Sequence, residues 1–120
     1  MYNDLYCKVF IDTHLSYGEF FSKIMNYIDG KKESFSYVVT DWCDIFIQKN
    51  KEYNIEQYML DSSDFLYWKY YLNIEPQHID EHKYIKNIAN LLSYLRKYCK
   101  RVVIACDFED EVNSMENFHM

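Results

Sequence analysis

The 120-residue sequence predicts an α+β fold in which two amphipathic helices pack on one face of an antiparallel sheet. Hydrophobic residues make up 49% of the chain, which is enough for one core and too many for a disordered acidic segment. Four segments have the alternation or the β-branched and aromatic content of strands. Two others place apolar residues at helical spacing. A single domain is therefore expected over residues 1–112.

The first strand and the first helix lie near the N-terminus. Residues 5–12, LYCKVFID, alternate between apolar and more polar positions and predict a strand. Ser16 and Glu19 have the spacing of a capping box, so a helix is expected to begin there. Gly30 is a suitable residue to end this helix.

The middle of the chain holds two predicted strands and a long connection. Residues 36–48, SYVVTDWCDIFIQ, predict a second strand that is long and irregular. Residues 49–64 are polar and poorly periodic, and loops of this length are often functional or mobile. Residues 65–76, FLYWKYYLNIEP, are rich in aromatics and predict the clearest strand, which ends at Pro76.

A second helix and a last strand complete the pattern. The helix covers about residues 80–99, with Asp80 as its N-cap. Its C-terminal end is basic, which the helix dipole favours without any need for a binding patch. Residues 101–108, RVVIACDF, predict the last strand. Residues 113–120 are expected to form an acidic C-terminal tail.

The order strand-helix-strand, strand-helix-strand is that of the ferredoxin-like βαββαβ fold. This fold has a four-stranded antiparallel sheet, with the strands in the order 4-1-3-2 and both helices on one face. The other face is then open unless the long connection, a partner or a second copy of the chain covers it.

The net charge of −6 is unevenly distributed. No Lys or Arg follows Arg101, and the last nineteen residues carry −5. An acidic end repels phosphate backbones and attracts basic surfaces. The sequence therefore predicts a protein partner and no nucleic acid.

No secretory leader and no membrane segment are expected, because the sequence lacks a basic start followed by a long apolar run. None of its four cysteines forms a CxxC pair. A cytoplasmic location with reduced, mostly buried thiols is therefore expected.

The acidic stretch after the last strand is the main candidate site. If Cys106 and Phe108 face the core, the neighbouring acids face solvent. Three interpretations are open, namely charge protection of an edge strand, docking of a partner, and acid–base or metal chemistry. No Lys follows the acids as a D…ExK nuclease requires, and no Gly provides the turn of an EF-hand loop. The acids are Asp107, Glu109, Asp110 and Glu111.

Other candidates are weaker. His78 and His82 are four residues apart but have no third ligand nearby in the sequence, so surface histidines are the simpler interpretation. Trp42, Tyr67 and Tyr71 are expected on the sheet face away from the helices, as apolar anchors for a partner or as residues covered by the connection. No cofactor or metal is predicted.

Three segments resemble a family of small bacterial proteins. The matching positions are Phe65–Pro76, Leu91–Arg96 and Ala105–Val112, the last with the distinctive sequence ACDFEDEV. The early DTHLSYGEFF is also similar. These proteins resemble immunity proteins of polymorphic or contact-dependent toxin systems. The resemblance implies that the chain is a non-enzymatic immunity-type protein that binds a cognate toxin, and it brings no established binding residues.

Two alternatives of other classes remain at this point. One is a small enzyme that uses the same carboxylates, with or without a metal. The other is a homodimeric ligand-binding domain, closed by two open sheet faces. Both a monomer and a homodimer are therefore compatible with the sequence.

Overall fold

The computed structural model describes residues 2–118 and contains four α-helices and six strands. The strands are β1 (Cys7–Asp12), β2 (Lys31–Lys32), β3 (Tyr37–Val39), β4 (Cys43–Lys49), β5 (Tyr70–Pro76) and β6 (Arg101–Ala105). The helices are α1 (Tyr17–Tyr27), α2 (Ile55–Leu60), α3 (Glu81–Leu95) and α4 (Glu109–Phe118), with a 3₁₀ turn at Phe65–Tyr67. No helix within residues 2–118 has both the length and the apolar character that crossing a membrane requires.

All six strands join one sheet in the order β2-β3-β4-β5-β1-β6, and every neighbouring pair is antiparallel. The α+β class is therefore confirmed. The structure does not reproduce the four-stranded ferredoxin-like sheet with two helices, because two short strands and two further helices are present. The four long strands do lie side by side, as β4-β5-β1-β6.

The predicted second strand divides in two at Thr40. The Thr40 hydroxyl accepts hydrogen bonds from the backbone N–H groups of Trp42 (3.1 Å) and Cys43 (2.9 Å). The backbone N–H of Thr40 donates to the carbonyl of Cys43 at 2.9 Å. These bonds close a tight turn that folds β3 back onto β4. A threonine-based turn without Gly or Pro gives only a weak sequence signal.

The main core lies between one face of the sheet and the helices α1 and α3. Alternate residues of the four long strands are buried on this face, as their two-residue period predicts. They pack against the apolar stripes of the two helices. The strands contribute Cys7, Val9, Ile11, Cys43, Ile45, Ile47, Tyr70, Leu72, Ile74, Val102 and Ile104, and the helices contribute chiefly Phe20, Ile24, Tyr84, Ile88, Leu91 and Leu92.

Both predicted helix starts are confirmed. The Ser16 hydroxyl accepts from the N–H of Glu19 at 3.2 Å, and the Glu19 carboxylate accepts from the N–H of Ser16 at 3.1 Å. Hydrogen bonds from Ser16 lower the pKa of the Glu19 carboxyl. Asp80 caps α3 through the N–H of Lys83. These contacts satisfy backbone donors that the first helical turn leaves free.

A smaller apolar cluster covers part of the other sheet face. The rings of Phe10 and Phe65 lie 4.9 Å apart, and Trp68 is only 2% exposed. The indole N–H of Trp68 donates to the carbonyl of Ser62 at 2.8 Å. The end of the long connection therefore covers the Phe10 end of this face, while Phe46 remains half-buried and stacks on Tyr37.

The C-terminal segment forms a helix where a strand end and a tail were predicted. Strand β6 ends at Ala105, and α4 runs from Glu109 to Phe118 and packs on α3. Phe108 and Val112 are completely buried. The tail prediction is thus wrong for residues 113–118, and residues 119 and 120 lie outside the described part of the chain. Three acids occupy the first turn, where the helix dipole stabilises negative charge.

Glu116 fastens this helix to the rest of the domain. Its carboxylate is 7% exposed and accepts from the Arg96 Nε at 2.7 Å and from the Arg96 Nη2 at 3.3 Å. Arg96 also donates through Nη1 to the carbonyl of Val102 at 2.8 Å. Arg96 therefore joins the end of α3, the start of β6 and α4.

We expect Glu116→Ala to lower the free energy of unfolding by about 1.5 to 2 kcal/mol, because it removes the hydrogen bonds of a buried carboxylate to Arg96, whose side chain is 42% exposed. The matched control is Glu109→Ala on the same helix, where the side chain is exposed and the effect should stay within about 0.5 kcal/mol. Urea unfolding of both variants measures the difference. Equal effects would show that the ion pair of Glu116 with Arg96 does not stabilise the fold.

Candidate partner-binding surface

Four long strands bring separate chain segments to one end of the sheet. Lys8 pairs with Ala105, so β1 begins where β6 ends. Cys43 pairs with Pro76, so β4 begins where β5 ends. Because neighbouring strands run antiparallel, these beginnings and ends all lie at the same end of the sheet. The starts of α3 and α4 follow directly after β5 and β6.

Carboxylates are concentrated at this end, which we call the acidic end. It comprises residues 2–8, 41–44, 75–83 and 105–111, in which ten acids and two lysines give a net charge of −8. The whole chain carries −6, so the remainder is slightly basic. The acids are Asp4, Asp41, Asp44, Glu75, Asp80, Glu81, Asp107, Glu109, Asp110 and Glu111.

Tyr2 ties three parts of the acidic end together. Its backbone N–H donates to the Glu81 Oε1 at 3.1 Å, and its hydroxyl donates to the Glu111 Oε2 at 2.9 Å. The hydrogen bond to Glu111 raises the pKa of the Tyr2 phenol. The N-terminal segment, the start of α3 and the start of α4 are therefore held in a defined arrangement.

A row of aromatic rings supports the acidic end from inside. The ring centroids lie 5.9 Å apart from Trp42 to Tyr84, 5.9 Å from Tyr84 to Phe108, and 5.8 Å from Phe108 to Tyr2. The buried Tyr84 hydroxyl donates to the carbonyl of Leu5 at 2.7 Å. Burial raises the pKa of Tyr84. Such edge-on aromatic packing gives the surface acids a rigid base.

The predicted acidic residues do not lie on a strand. Asp107 lies in the turn before α4, and Glu109 and Asp110 lie in its first turn; all three are exposed. Glu111 is half-buried and is engaged by Tyr2. The expected alternation of Asp107 and Glu109 on the outer face of a strand is therefore wrong, because the strand ends at Ala105.

The predicted aromatic anchors do not form one patch. Trp42 lies at the acidic end, but its ring packs inward on Tyr84. Tyr71 is half-buried on the second face of the sheet, with the Lys8 Nζ 4.4 Å from its ring centroid. Tyr67 belongs to the 3₁₀ turn at the opposite end of β5. Only Trp42 is therefore close to the predicted acids.

Sequence reasoning missed the acids that other segments contribute. Asp4 precedes the first strand, Asp41 and Asp44 lie around the start of β4, and Glu75 lies near the end of β5. Each is an isolated acid when read along the sequence. In an antiparallel sheet, the start of one strand lies beside the end of its neighbour. Applying this rule to the predicted strand boundaries would have placed these four acids at one end of the sheet.

The opposite end of the sheet contains an ion pair between the buried Asp12 and the half-buried Arg101. The Asp12 Oδ2 lies 2.7 Å from the Arg101 Nη2 and accepts from the Arg101 Nε at 2.8 Å. The Tyr58 hydroxyl donates to the same carboxylate at 3.2 Å. The Arg101 guanidinium lies 4.8 Å from the Trp68 ring and donates to the carbonyl of Ser62. These contacts anchor the long connection to the sheet.

A cavity of about 130 Å³ lies beside Asp12 and is lined also by His14, Tyr58 and Lys69. Arg101 and Tyr58 already donate hydrogen bonds to the Asp12 carboxylate. These bonds explain how the long connection is attached to the sheet.

Within residues 2–118, no three His, Cys, Asp or Glu side chains are placed to hold a metal ion. His78 and His82 are both exposed.

The connection also presents an exposed apolar patch. Met59 is 77% exposed and Leu60 is 81% exposed, and both lie on the short helix α2. Ile55 and Leu66 are more than half exposed as well. This patch is a second surface that a partner could contact.

No protein-family model, curated protein or solved structure matches the chain. The roles of its residues therefore rest on the geometry described above.

We expect Asp12→Asn to cost about 2 kcal/mol of stability, because it leaves the half-buried Arg101 guanidinium without its charged partner. Hydrogen exchange should accelerate in residues 55–68 more than in the sheet, since the connection loses its anchor. Asp29→Asn, at an exposed position, serves as the control with little effect. If residues 55–68 exchange equally in both variants, the ion pair does not anchor the connection.

Proposed function

We propose that this chain is a cytoplasmic immunity-type protein that binds a cognate bacterial toxin and blocks it without catalysing a reaction. The observation that carries the proposal is the net charge of −8 that four separate segments place at one end of the sheet. The resemblance of ACDFEDEV to small immunity-like proteins supports the same function, since Ala105–Val112 contributes four of the ten acids.

The acidic end suits a basic protein surface. Its exposed acids include Asp107, Glu109 and Asp110, which project from the turn before α4 and from its first turn. Each added acid within about 8 Å of the others strengthens the local negative potential at physiological ionic strength. Such a field accelerates the encounter with an oppositely charged partner and selects against acidic ones.

A nuclease is the toxin class that fits this charge best. A protein that cleaves nucleic acid carries a basic cleft, because it must bind phosphates. An acidic, rigid surface complements that cleft and excludes the substrate from it. The acidic end would itself repel nucleic acid, so a protein is the expected partner.

The rigidity of the surface favours tight binding. Tyr2 holds Glu81 and Glu111, and the aromatic row from Trp42 to Tyr2 supports the first turn of α4. A surface that is already ordered loses little conformational entropy when a partner binds. Trp42 therefore acts as a support for the acids in this proposal, and the exposed acids make the contact.

The double variant Asp107→Lys/Asp110→Lys tests the acidic end against a nuclease toxin that this chain neutralises. We expect its association rate to fall at least about tenfold at low salt, with a smaller difference at high salt, because steering is electrostatic. Stopped-flow or surface binding at several salt concentrations measures both effects. Circular dichroism checks that the variant is folded.

The matched control is Glu52→Lys/Glu56→Lys, which makes the same change in net charge at exposed positions outside the acidic end. Its association rate should change much less. Equal losses in the two double variants would contradict docking at the acidic end. If only Leu60→Glu lowers the association rate, the interface lies instead at the apolar patch on α2.

A further inference from the structure

Two cysteines from distant parts of the sequence lie side by side in the sheet. Cys7 is the first residue of β1, and Cys106 directly follows the last residue of β6. Because Lys8 pairs with Ala105, Cys7 and Cys106 are the next opposing positions along the two antiparallel strands. Both side chains contact the main core, so they lie on the same face of the sheet.

This arrangement has the dimensions of a disulfide. Directly opposed residues on antiparallel strands have Cα atoms about 4.5 to 5.5 Å apart. A disulfide requires Cα atoms about 4.4 to 6.8 Å apart and side chains that point toward each other. Opposed residues of antiparallel strands point to the same face of the sheet, and both cysteines contact the core on that face, so the second condition is met as well.

The other two cysteines are out of reach. Cys43 lies on β4, and β5 separates β4 from β1, which places Cys43 about 9.6 Å from β1 by strand spacing alone. Cys99 directly precedes Lys100, whose N–H donates to the carbonyl of Asp12 at the far end of β1, about 17 Å from Cys7 along the strand. Cys7 and Cys106 are therefore the one pair among the four thiols with a bonding geometry.

The two thiols differ in access and acidity. Cys106 is partly exposed, whereas Cys7 is completely buried. The adjacent Cys7 thiol and, to a smaller extent, the backbone of Phe108 lower the pKa of Cys106, although burial and the carboxylates of Glu109 and Asp107 oppose this shift. The adjacent Cys106 thiol and burial raise the pKa of Cys7. Cys106 is thus the thiol that reacts first, and Cys7 is the thiol that follows.

We propose that Cys7 and Cys106 form an oxidisable dithiol site that a hydroperoxide converts to an intramolecular disulfide. The Cys106 thiolate attacks the outer oxygen of the hydroperoxide, the O–O bond breaks, and the alcohol leaves with a proton. The resulting sulfenic acid then loses water as the Cys7 sulfur attacks the Cys106 sulfur and gives up its proton. The two thiols lose two electrons, and the hydroperoxide is reduced to an alcohol and water.

The site is independent of the proposed toxin partner, because the two sulfurs and the oxidant are sufficient for the reaction. It lies next to the acidic end, since Asp107 follows Cys106 directly. The disulfide would link the start of β1 covalently to the chain that leads into α4. Oxidation would therefore fix the surface acids of this turn more firmly to the sheet.

The test uses the reduced, folded, full-length chain and hydrogen peroxide. After treatment, free thiols are alkylated and the chain is digested for mass spectrometry. We expect two of the four thiols to be lost, with one linked peptide pair that contains Cys7 and Cys106 and is lighter by two hydrogen atoms. Reduction with a dithiol should restore all four.

Two variants complete the test. Cys43→Ala removes another buried thiol and should form the same linked pair as the unsubstituted chain. Cys106→Ala should keep its three remaining thiols free under the same treatment. Oxidation that stops at Cys106 while Cys7 stays free would overturn the proposal, as would a pair that involves Cys43 or Cys99, or no loss of thiols. The result for the unsubstituted chain decides the question even if a variant does not fold.

Discussion

Strand β1 is the element on which the rest of the structure depends, because it is hydrogen-bonded on both sides, to β5 and to β6. Its inward residues Cys7, Val9 and Ile11 are completely buried at the centre of the main core. A shift of one residue in its register would turn these side chains to the other face and bring Lys8 and Phe10 inward. Packing therefore specifies the register strongly, and the register determines which residues meet at each end of the sheet.

The two ends of β1 make different contacts with β6. At its C-terminal end, Asp12 pairs with Arg101 at the start of β6, and this pair attaches the long connection through Tyr58 and Ser62. At its N-terminal end, Cys7 meets Cys106 at the close of β6. Arg101 lies at the start of β6, and Cys106 directly follows its end. The register of β1 with β6 therefore forms both the ion pair and the dithiol, at opposite ends of β1.

The acidic end is tolerated because its charges are exposed and individually supported. Like charges repel, and a concentration of acids therefore lowers stability. The acids of α4 occupy its first turn, where the helix dipole favours them, and Asp80 caps α3. Glu111 accepts a hydrogen bond from Tyr2. The same contacts that relieve the repulsion also hold the acids in place, which is the property that a docking surface requires.

The sequence by itself determined the α+β class, the presence of the four long strands but not all of their bounds, and the two main helices with their starts at Ser16 and Asp80. These features depend on local periodicity and capping, which are visible along the chain. Residues 65–69, predicted as the start of the third strand, instead lie in and after a 3₁₀ turn. The helical spacing of Phe108, Val112 and Met115 also carried a signal for α4, but the strand pattern of residues 101–108 obscured it. Only the tertiary structure decided the six-stranded sheet, the ion pair of Glu116 with Arg96, the acidic end and the pairing of Cys7 with Cys106. Each of these joins residues far apart in the sequence, and which strands pair, and in which register, is decided by packing of the whole core.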